Sequence, residues 1–195
     1  VVGADVATVA VLRDDTARHT TELMRPPQPG KHVAAHNGIV AIANGNVLQL
    51  TRPMQPHLVD RARAFLASPV DINMVLSSGG RLFVGADACY ALTDVETDDI
   101  AQRRVLEYPP VMGTAVLLPD GRGAWMTMYG QAITNERGEV DLRNRDTFAP
   151  AAAESGAAGV VDIDGNQLII TALKGKTGGN PLAASDFYIG EILNP

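Results

Sequence analysis

The chain has 195 residues, of which 46% are hydrophobic and 19% charged, as is typical of a globular protein with a substantial core. Disordered chains carry fewer aliphatic residues and a larger charge imbalance, and a single domain accounts for this length. The net charge of −6, without any basic cluster, argues against a nucleic-acid groove. No apolar stretch approaches the roughly 20 residues that a membrane span requires.

The one cysteine, Cys89, excludes a disulfide within the chain. It lies in the apolar run Ala88–Leu92, with no nearby histidine or cationic setting that would activate a thiolate. We therefore expect a buried, unreactive thiol.

Residues 1–30 precede the repetitive part of the chain and contain two elements. Val6–Leu12 is predicted to form a strand, which either closes the array formed by the rest of the chain or completes a neighbouring unit. Arg25–Gly30 is a connector whose prolines exclude a helix and favour polyproline II.

From residue 31 onward, a pair of residues favoured in two-residue hairpin turns recurs at nearly constant spacing. The pairs are Asn37-Gly38, Gly79-Gly80, Asp120-Gly121 and Asp164-Gly165. Counted on the second residue of each pair, the intervals are 42, 41 and 44 residues. Short apolar runs flank each turn, and they are too short for helices. The spacing thus predicts a hairpin that is repeated four times.

A second glycine follows the second strand of three repeats and predicts another turn, after which a third strand begins. These glycines are Gly45, Gly85 and Gly130. A period of 40–45 residues with three or four strands is typical of a β-propeller blade. We therefore predict an all-β fold, a β-propeller-like array of about four 3–4-stranded blades near residues 31–70, 71–110, 111–156 and 157–195. A β-sandwich built from the same hairpins is the alternative.

The stretches between the repeats differ from one another. Pro53–Ser68 is predicted to form either a short helix or an irregular fourth strand, and the acidic stretch Thr93–Arg104 is predicted to be an exposed loop. Asn135–Asn144 is predicted to form another hairpin with Arg137-Gly138 at its tip, and Phe187–Leu193 a terminal strand.

Few residues point to chemistry. His32 and His36 are four apart, but on a strand that separation is about 13 Å, too far for joint metal ligation. Asp162-Ile163-Asp164-Gly165-Asn166 places oxygen atoms at alternate positions, as calcium loops do, but it lacks their later bidentate glutamate. A hairpin turn explains the same residues. Lys174–Gly179 resembles only the end of a phosphate-binding loop, and Gly175-Lys176-Thr177 within it is predicted to be a hairpin tip.

The segment His36–Leu48 resembles a pattern in tail-associated virion proteins of phages and prophages, in which His-Asn-Gly, a strand, Gly-Asn and a second strand precede Ser-Glu-Pro. Five shorter segments also resemble these proteins: Gly80–Gly85, Arg104–Tyr108, Gly113–Val116, Asn180-Pro181 and Ser185-Asp186. This chain departs from the pattern at Thr51-Arg52-Pro53, where the family has Ser-Glu-Pro. The resemblance spans about residues 25–190 and implies a structural β-propeller of the tail or tail tip, present in several copies. It implies no catalytic residue.

Three functions follow as hypotheses. The first is a structural component of a bacteriophage tail, not an enzyme, with other virion proteins and copies of itself as partners. It needs no cofactor or metal and is assembled in the host bacterial cytoplasm. The second is a carbohydrate- or cell-surface-binding propeller, although no aromatic residue recurs at one blade position. The third is a glycoside-active enzyme that uses loop carboxylates.

Overall fold

The computed structural model describes residues 24–61, 64–97, 99–143, 153–164, 166–175 and 185–191. In these ranges the chain forms fifteen strands in four antiparallel sheets and contains no helix. The predicted all-β fold is therefore confirmed. The predicted strand Val6–Leu12 and most of the Lys174–Gly179 segment lie outside the described residues.

The first two sheets are simple meanders in which each strand pairs with the next along the chain. Sheet 1 contains β1 (His32–His36), β2 (Ile39–Asn44), β3 (Val47–Leu50) and β4 (Phe65–Ala67). Sheet 2 contains β5 (Met74–Ser78), β6 (Arg81–Gly85), β7 (Cys89–Thr93) and β8 (Ala101–Leu106). β4 shows that the stretch from Pro53 forms a fourth strand rather than a helix. β8 corrects the expectation of a loop over the whole of Thr93–Arg104, because only the residues before Ala101 form the loop.

In sheets 3 and 4, too, each strand pairs with the next along the chain. Sheet 3 contains β9 (Val116–Leu117), β10 (Gly123–Thr127), β11 (Gly130–Thr134) and β12 (Val140–Arg143). Sheet 4 contains β13 (Ala153–Ile163), β14 (Asn166–Gly175) and β15 (Ser185–Glu191). The hairpin predicted around Gly138 is confirmed as the β11–β12 connection, and Gly138 has a φ of 69°.

Two of the predicted turns have both central residues in the left-handed region, as a type I′ turn requires. The φ angles are 44° and 78° at Asn37 and Gly38, and 55° and 69° at Gly79 and Gly80. In the last hairpin, Asp164 has a φ of 53° between the paired residues Ile163 and Asn166, and Gly165 lies outside the described residues.

The turn at Asp120-Gly121 is not the predicted two-residue turn. β9 and β10 are joined by the five residues Leu118–Arg122, and only Gly121, with a φ of 86°, is left-handed. The Gly121 N–H donates to the Leu118 carbonyl at 2.9 Å, and the Leu118 N–H donates to the Arg122 carbonyl at 2.7 Å. Pro119 explains the difference, because proline has no N–H to donate to Arg122 across a two-residue turn, and the Leu118 N–H makes that bond instead. Pro119 thus becomes the second residue of the turn Leu118–Gly121, a position that proline favours.

The three glycines that were predicted to form the second turn of a repeat have different structural roles. Gly45, with a φ of 56°, is the first turn residue between β2 and β3, as predicted. Gly85 is instead the last residue of β6, and the chain reverses after it. Gly130 is the first residue of β11, and Met128 and Tyr129 form the turn before it.

The four sheets follow one another through their first strands. β5 contacts both β1 and β9, and β9 contacts β13, while the last strands lie at the opposite edges of the sheets. Apolar clusters fill the spaces between consecutive sheets. Four successive sheets with adjacent first strands form the predicted propeller-like array, whereas the alternative β-sandwich would have two facing sheets.

Candidate interaction surfaces between and beyond the sheets

The junction between sheets 1 and 2 joins the last residues of their first strands. His36, which is 4% exposed, lies directly before the first turn, and its Nδ1 is 2.9 Å from the Ser77 hydroxyl oxygen. Burial lowers the pKa of His36, and the Glu96 carboxylate partly offsets this effect. At the other end of the junction, the Ile72 N–H donates to the Gly45 carbonyl at 2.9 Å. Polar contacts therefore join both ends of this junction, with aliphatic side chains between them.

The junction between sheets 2 and 3 is built from hydroxyl groups. The Ser78 hydroxyl donates to the Gly121 carbonyl at 2.9 Å and lies 2.7 Å from the Thr134 hydroxyl. Because Ser78 has only one proton, the Thr134 hydroxyl donates to it and also accepts from the Gly123 N–H at 2.7 Å. This network contains no titratable group.

Glycines allow sheets 2 and 3 to approach closely at both ends. A Cβ on Gly79 would lie 2.6 Å from the Gly138 backbone nitrogen, and a Cβ on Gly85 would collide with the Pro110 ring. At that second end, the Asn73 amide donates to the Pro110 carbonyl at 2.8 Å. Gly85, which the sequence predicts as a turn residue, is thus needed for packing against the next sheet.

The hairpin turns of the first three sheets lie at one end of the array. The His36–Ser77 and Ser78–Gly121 contacts show that neighbouring hairpin tips touch. Sequence reasoning identified the turn glycines but missed the residues immediately before the turns, which form these contacts. The available signal was their spacing, since His36 and Ser78 are 42 residues apart, like Gly38 and Gly80.

The first strand of sheet 2 has two faces with different partners. Val75 and Ser77 face sheet 1, where Val75 belongs to the shared apolar cluster. Leu76 and Ser78 face sheet 3, where Leu76 packs beside Gly123. Alternation along a strand explains the two sets, and β5 is covered on both sides.

The outermost first strands are covered on one side only. In sheet 1, Ala34 and His36 face sheet 2, while Val33, which is 58% exposed, and Ala35 point away from it. In sheet 4, Val160 packs against sheet 3, and the alternate residues of the same strand are exposed. These exposed residues are Ala157, Gly159, Val161 and Ile163, with Val161 at 40% and Ile163 at 50%. We call these two surfaces the leading face, of Val33 and Ala35, and the trailing face, of Ala157, Gly159, Val161 and Ile163.

A cleft of about 660 Å³ lies between the loops of sheets 1 and 2. Leu50 and Ile100 contribute apolar surface, and Arg52, Glu96 and Thr97 contribute polar groups. Asp60 is the second carboxylate in its wall. Apolar and polar side chains thus both line this cleft, as they do in sites for small polar ligands.

The remaining candidate groups show no assembled reactive site. Cys89 is fully buried, as predicted, and burial raises the pKa of its thiol to about 12. Asp162 and Asp164 are exposed, and in the part of the chain that the structure describes no three His, Cys, Asp or Glu side chains are grouped to hold a metal. His32 lies at the other end of β1 from His36, and burial together with Lys31 lowers the pKa of His32.

No protein-family model matches the sequence, and no curated protein matches it. Among the described residues there is no helix long and apolar enough to cross a membrane. The geometry of the surfaces therefore carries the functional argument.

Proposed function

We propose that this chain is a structural component of a bacteriophage tail or tail tip that acts through protein–protein contacts. The observation that carries the proposal is that, within the described residues, no sheet covers the apolar strand faces at the two ends of the blade array. The equivalent position within the array, Val75, is only 9% exposed, compared with 58% at Val33. Contiguous exposed apolar surface of this kind marks protein interaction sites.

The assignment to a phage tail rests on the resemblance of His36–Leu48 and the shorter segments to tail-associated virion proteins. A virion role is also compatible with assembly in the reducing cytoplasm of the host bacterium, since the one cysteine is buried and forms no disulfide. Under this proposal, the partners are other virion proteins and further copies of the chain, arranged as a ring or another multi-copy assembly. The proposed role requires no catalysis, cofactor, nucleic acid or membrane span.

Electron microscopy of virus particles tests this role. Particles are purified from the bacterium that encodes the chain and labelled with a gold-conjugated antibody raised against it. We expect label at one fixed position on the tail, and the chain should copurify with tails in constant ratio to the other tail proteins. Tailed particles that lack the chain would contradict the proposal.

The cleft beside Glu96 favours a second candidate, a carbohydrate- or cell-surface-binding module. Its lining contains both polar and apolar side chains, the two kinds of contact that hold a sugar. Titration calorimetry with a panel of oligosaccharides tests this role. Saturable binding that Arg52→Ala weakens, and that Met54→Ala outside the lining leaves unchanged, would support it, whereas no binding by the wild-type chain would exclude it. Release of reducing sugar that Glu96→Gln abolishes would indicate a glycoside-active enzyme instead.

A further inference from the structure

We propose that the trailing face of one copy packs against the leading face of a second copy, head to tail, and reproduces the junction between sheets 1 and 2. This inference rests on the proposed assembly function and names the surfaces and the partner. The occupant of each face is a second copy of this chain.

Three valines occupy equivalent positions in the first strands of sheets 1, 2 and 4. Counted back from the hairpin turn, Val33 of β1 corresponds to Val75 of β5 and to Val160 of β13. Val75 packs against sheet 1, and Val160 packs against sheet 3. Two of the three valines are thus covered by the sheet that precedes their own. Val33 has the same side chain and the same orientation, but it is 58% exposed.

The residues of the trailing face also have equivalents in sheets 1 and 2, where the following sheet covers them. Ile163 corresponds to His36 and Ser78, which are each 4% exposed because the following sheet covers them. Val161 corresponds in the same way to Leu76, which packs against sheet 3. Ile163 remains 50% exposed because no sheet follows it within the described residues.

These equivalences define how the two faces meet. Within the chain, His36 of one sheet contacts Ser77 of the next. The residue equivalent to His36 at the trailing face is Ile163, and the residue equivalent to Ser77 at the leading face is Ala35. The inferred junction therefore places Ile163 of one copy opposite Ala35 of the next, an apolar pair in place of a polar one.

The two faces are different surfaces, so the contact is heterologous and repeats from copy to copy. Such a contact generates a closed ring where the rotation closes and an open filament where it does not. Small side chains suit the contact, because Ala157 and Gly159 leave room for the approaching strand. The arrangement also covers the two end faces of the array, as propeller closure does.

Site-directed cross-linking tests the inferred register. Two chains, Ala35→Cys and Ile163→Cys, are mixed and treated with a short bis-maleimide. The native Cys89 is buried and has a raised pKa, so it does not react. We expect a covalent dimer in the mixture and none from either variant alone. Met54→Cys, at a position 82% exposed and outside both faces, replaces Ala35→Cys as the matched control and should not cross-link to Ile163→Cys.

The doubly substituted chain, Ala35→Cys with Ile163→Cys, tests whether the faces are covered by something other than a second copy. A ladder of covalent oligomers is expected. A single cross-linked monomer would show that sheet 4 covers sheet 1 of its own chain, and no product at all would show that something else covers the faces. Either result overturns the inference.

Sedimentation of single variants measures the strength of the contact. Val33→Asp places a charge on the leading face, and we expect it to weaken self-association roughly 30-fold, the effect of losing one interface hot spot. Met54→Asp should leave self-association unchanged. If the wild-type chain assembles and Val33→Asp does not weaken it, the inferred faces are wrong while an assembly role stands. If the faces cross-link but the chain is absent from tails, the tail role alone is wrong.

Discussion

The two junctions on either side of sheet 2 both join neighbouring first strands beside their hairpin turns, but their chemistry differs. Between sheets 1 and 2, a buried imidazole meets a serine hydroxyl above a cluster of aliphatic side chains. Between sheets 2 and 3, a serine and a threonine hydroxyl join the strands above a tilted aromatic pair, Phe83 and Trp125, with ring centroids 5.5 Å apart. The hairpin repeat thus determines where the sheets meet, and the side chains before each turn determine how the junction responds to pH and to substitution.

The comparison predicts that the second junction is the more sensitive to packing changes and that the first is the more sensitive to acid. The second contains Trp125, the largest buried side chain among the described residues, and a close approach between the Gly79 and Gly138 backbones. The first contains the one buried histidine among the described residues, His36.

The largest expected effect is that of removing the indole of Trp125. Trp125→Ala leaves a cavity beside Phe83, and it should lower the free energy of unfolding by about 3–5 kcal/mol. Trp125→Phe keeps an aromatic ring and removes an indole N–H that is buried without a hydrogen-bond partner, so its loss should stay below about 1.5 kcal/mol. Urea titration followed by circular dichroism measures both values. Equal losses for the two variants would contradict the role of the aromatic pair.

Adding a methyl group at Gly79 should have the next largest effect. Gly79→Ala forces a side chain into the left-handed region and against the Gly138 backbone, and we expect a loss of about 2–3 kcal/mol. Gly80→Ala is the matched control, because Gly80 also has a positive φ but a Cβ there would contact nothing within 4 Å. Thermal unfolding should show a loss at position 80 of only about 1–2 kcal/mol, from backbone strain. An equal loss at both positions would show that the close approach of sheet 3 contributes nothing.

A smaller difference is expected between the two neighbouring serines. Ser78→Ala removes the acceptor of the buried Thr134 hydroxyl proton and the donor to the Gly121 carbonyl, which should cost about 1–2 kcal/mol. Ser77→Ala removes one hydrogen bond at a half-buried position, so we expect about 0.5–1 kcal/mol. Denaturant midpoints of the two variants measured side by side check the order. The reverse order would contradict the assignment of the tighter network to the second junction.

The smallest expected effect is the response of the first junction to acid. Because burial lowers the pKa of His36 in the folded state, the unfolded chain binds a proton more readily below the unperturbed pKa of about 6.5. The free energy of unfolding should therefore fall as the pH drops through 6.5 and level off below the folded-state pKa. Unfolding of the wild type and His36→Gln across this range measures the contribution, which the variant should lack.

Ser77→Ala is the control for this pH dependence. Burial is the largest cause of the lowered pKa, so removing the hydroxyl partner should leave most of the acid response in place. A response that disappears in Ser77→Ala, or persists unchanged in His36→Gln, would contradict the assignment to a buried imidazole.

Much of the fold was predictable because turns are chosen by local backbone chemistry. Asn37-Gly38 and Gly79-Gly80 predict type I′ hairpins from their left-handed propensity alone, and the structure confirms both turns. At Asp120, the preceding Pro119 alters the turn type, so the pair was predicted correctly as a turn and wrongly as a two-residue one. β8 was missed because a polar outer strand with Arg103 and Arg104 at its centre lacks the apolar alternation from which strands are predicted.

The interaction surfaces were less predictable than the hairpins. Val33, Val75 and Val160 are the same residue at the same repeat position, and nothing in the local sequence distinguishes the exposed valine from the other two. The sequence argued only against joint metal ligation by His32 and His36, and only the neighbouring sheet shows that His36 is buried against Ser77.

The sequence by itself determined the all-β class, the number of hairpins and their spacing, because glycine, asparagine and proline restrict the backbone within a few residues. The tertiary structure alone decided which strand faces are covered, since coverage depends on residues about 40 positions away that fold onto the next sheet. It also decided the role of Gly85, which has an ordinary position at a strand end until Pro110 packs against it. The physical reason is that turn preferences act through local backbone sterics, whereas burial arises only when separate sheets come together.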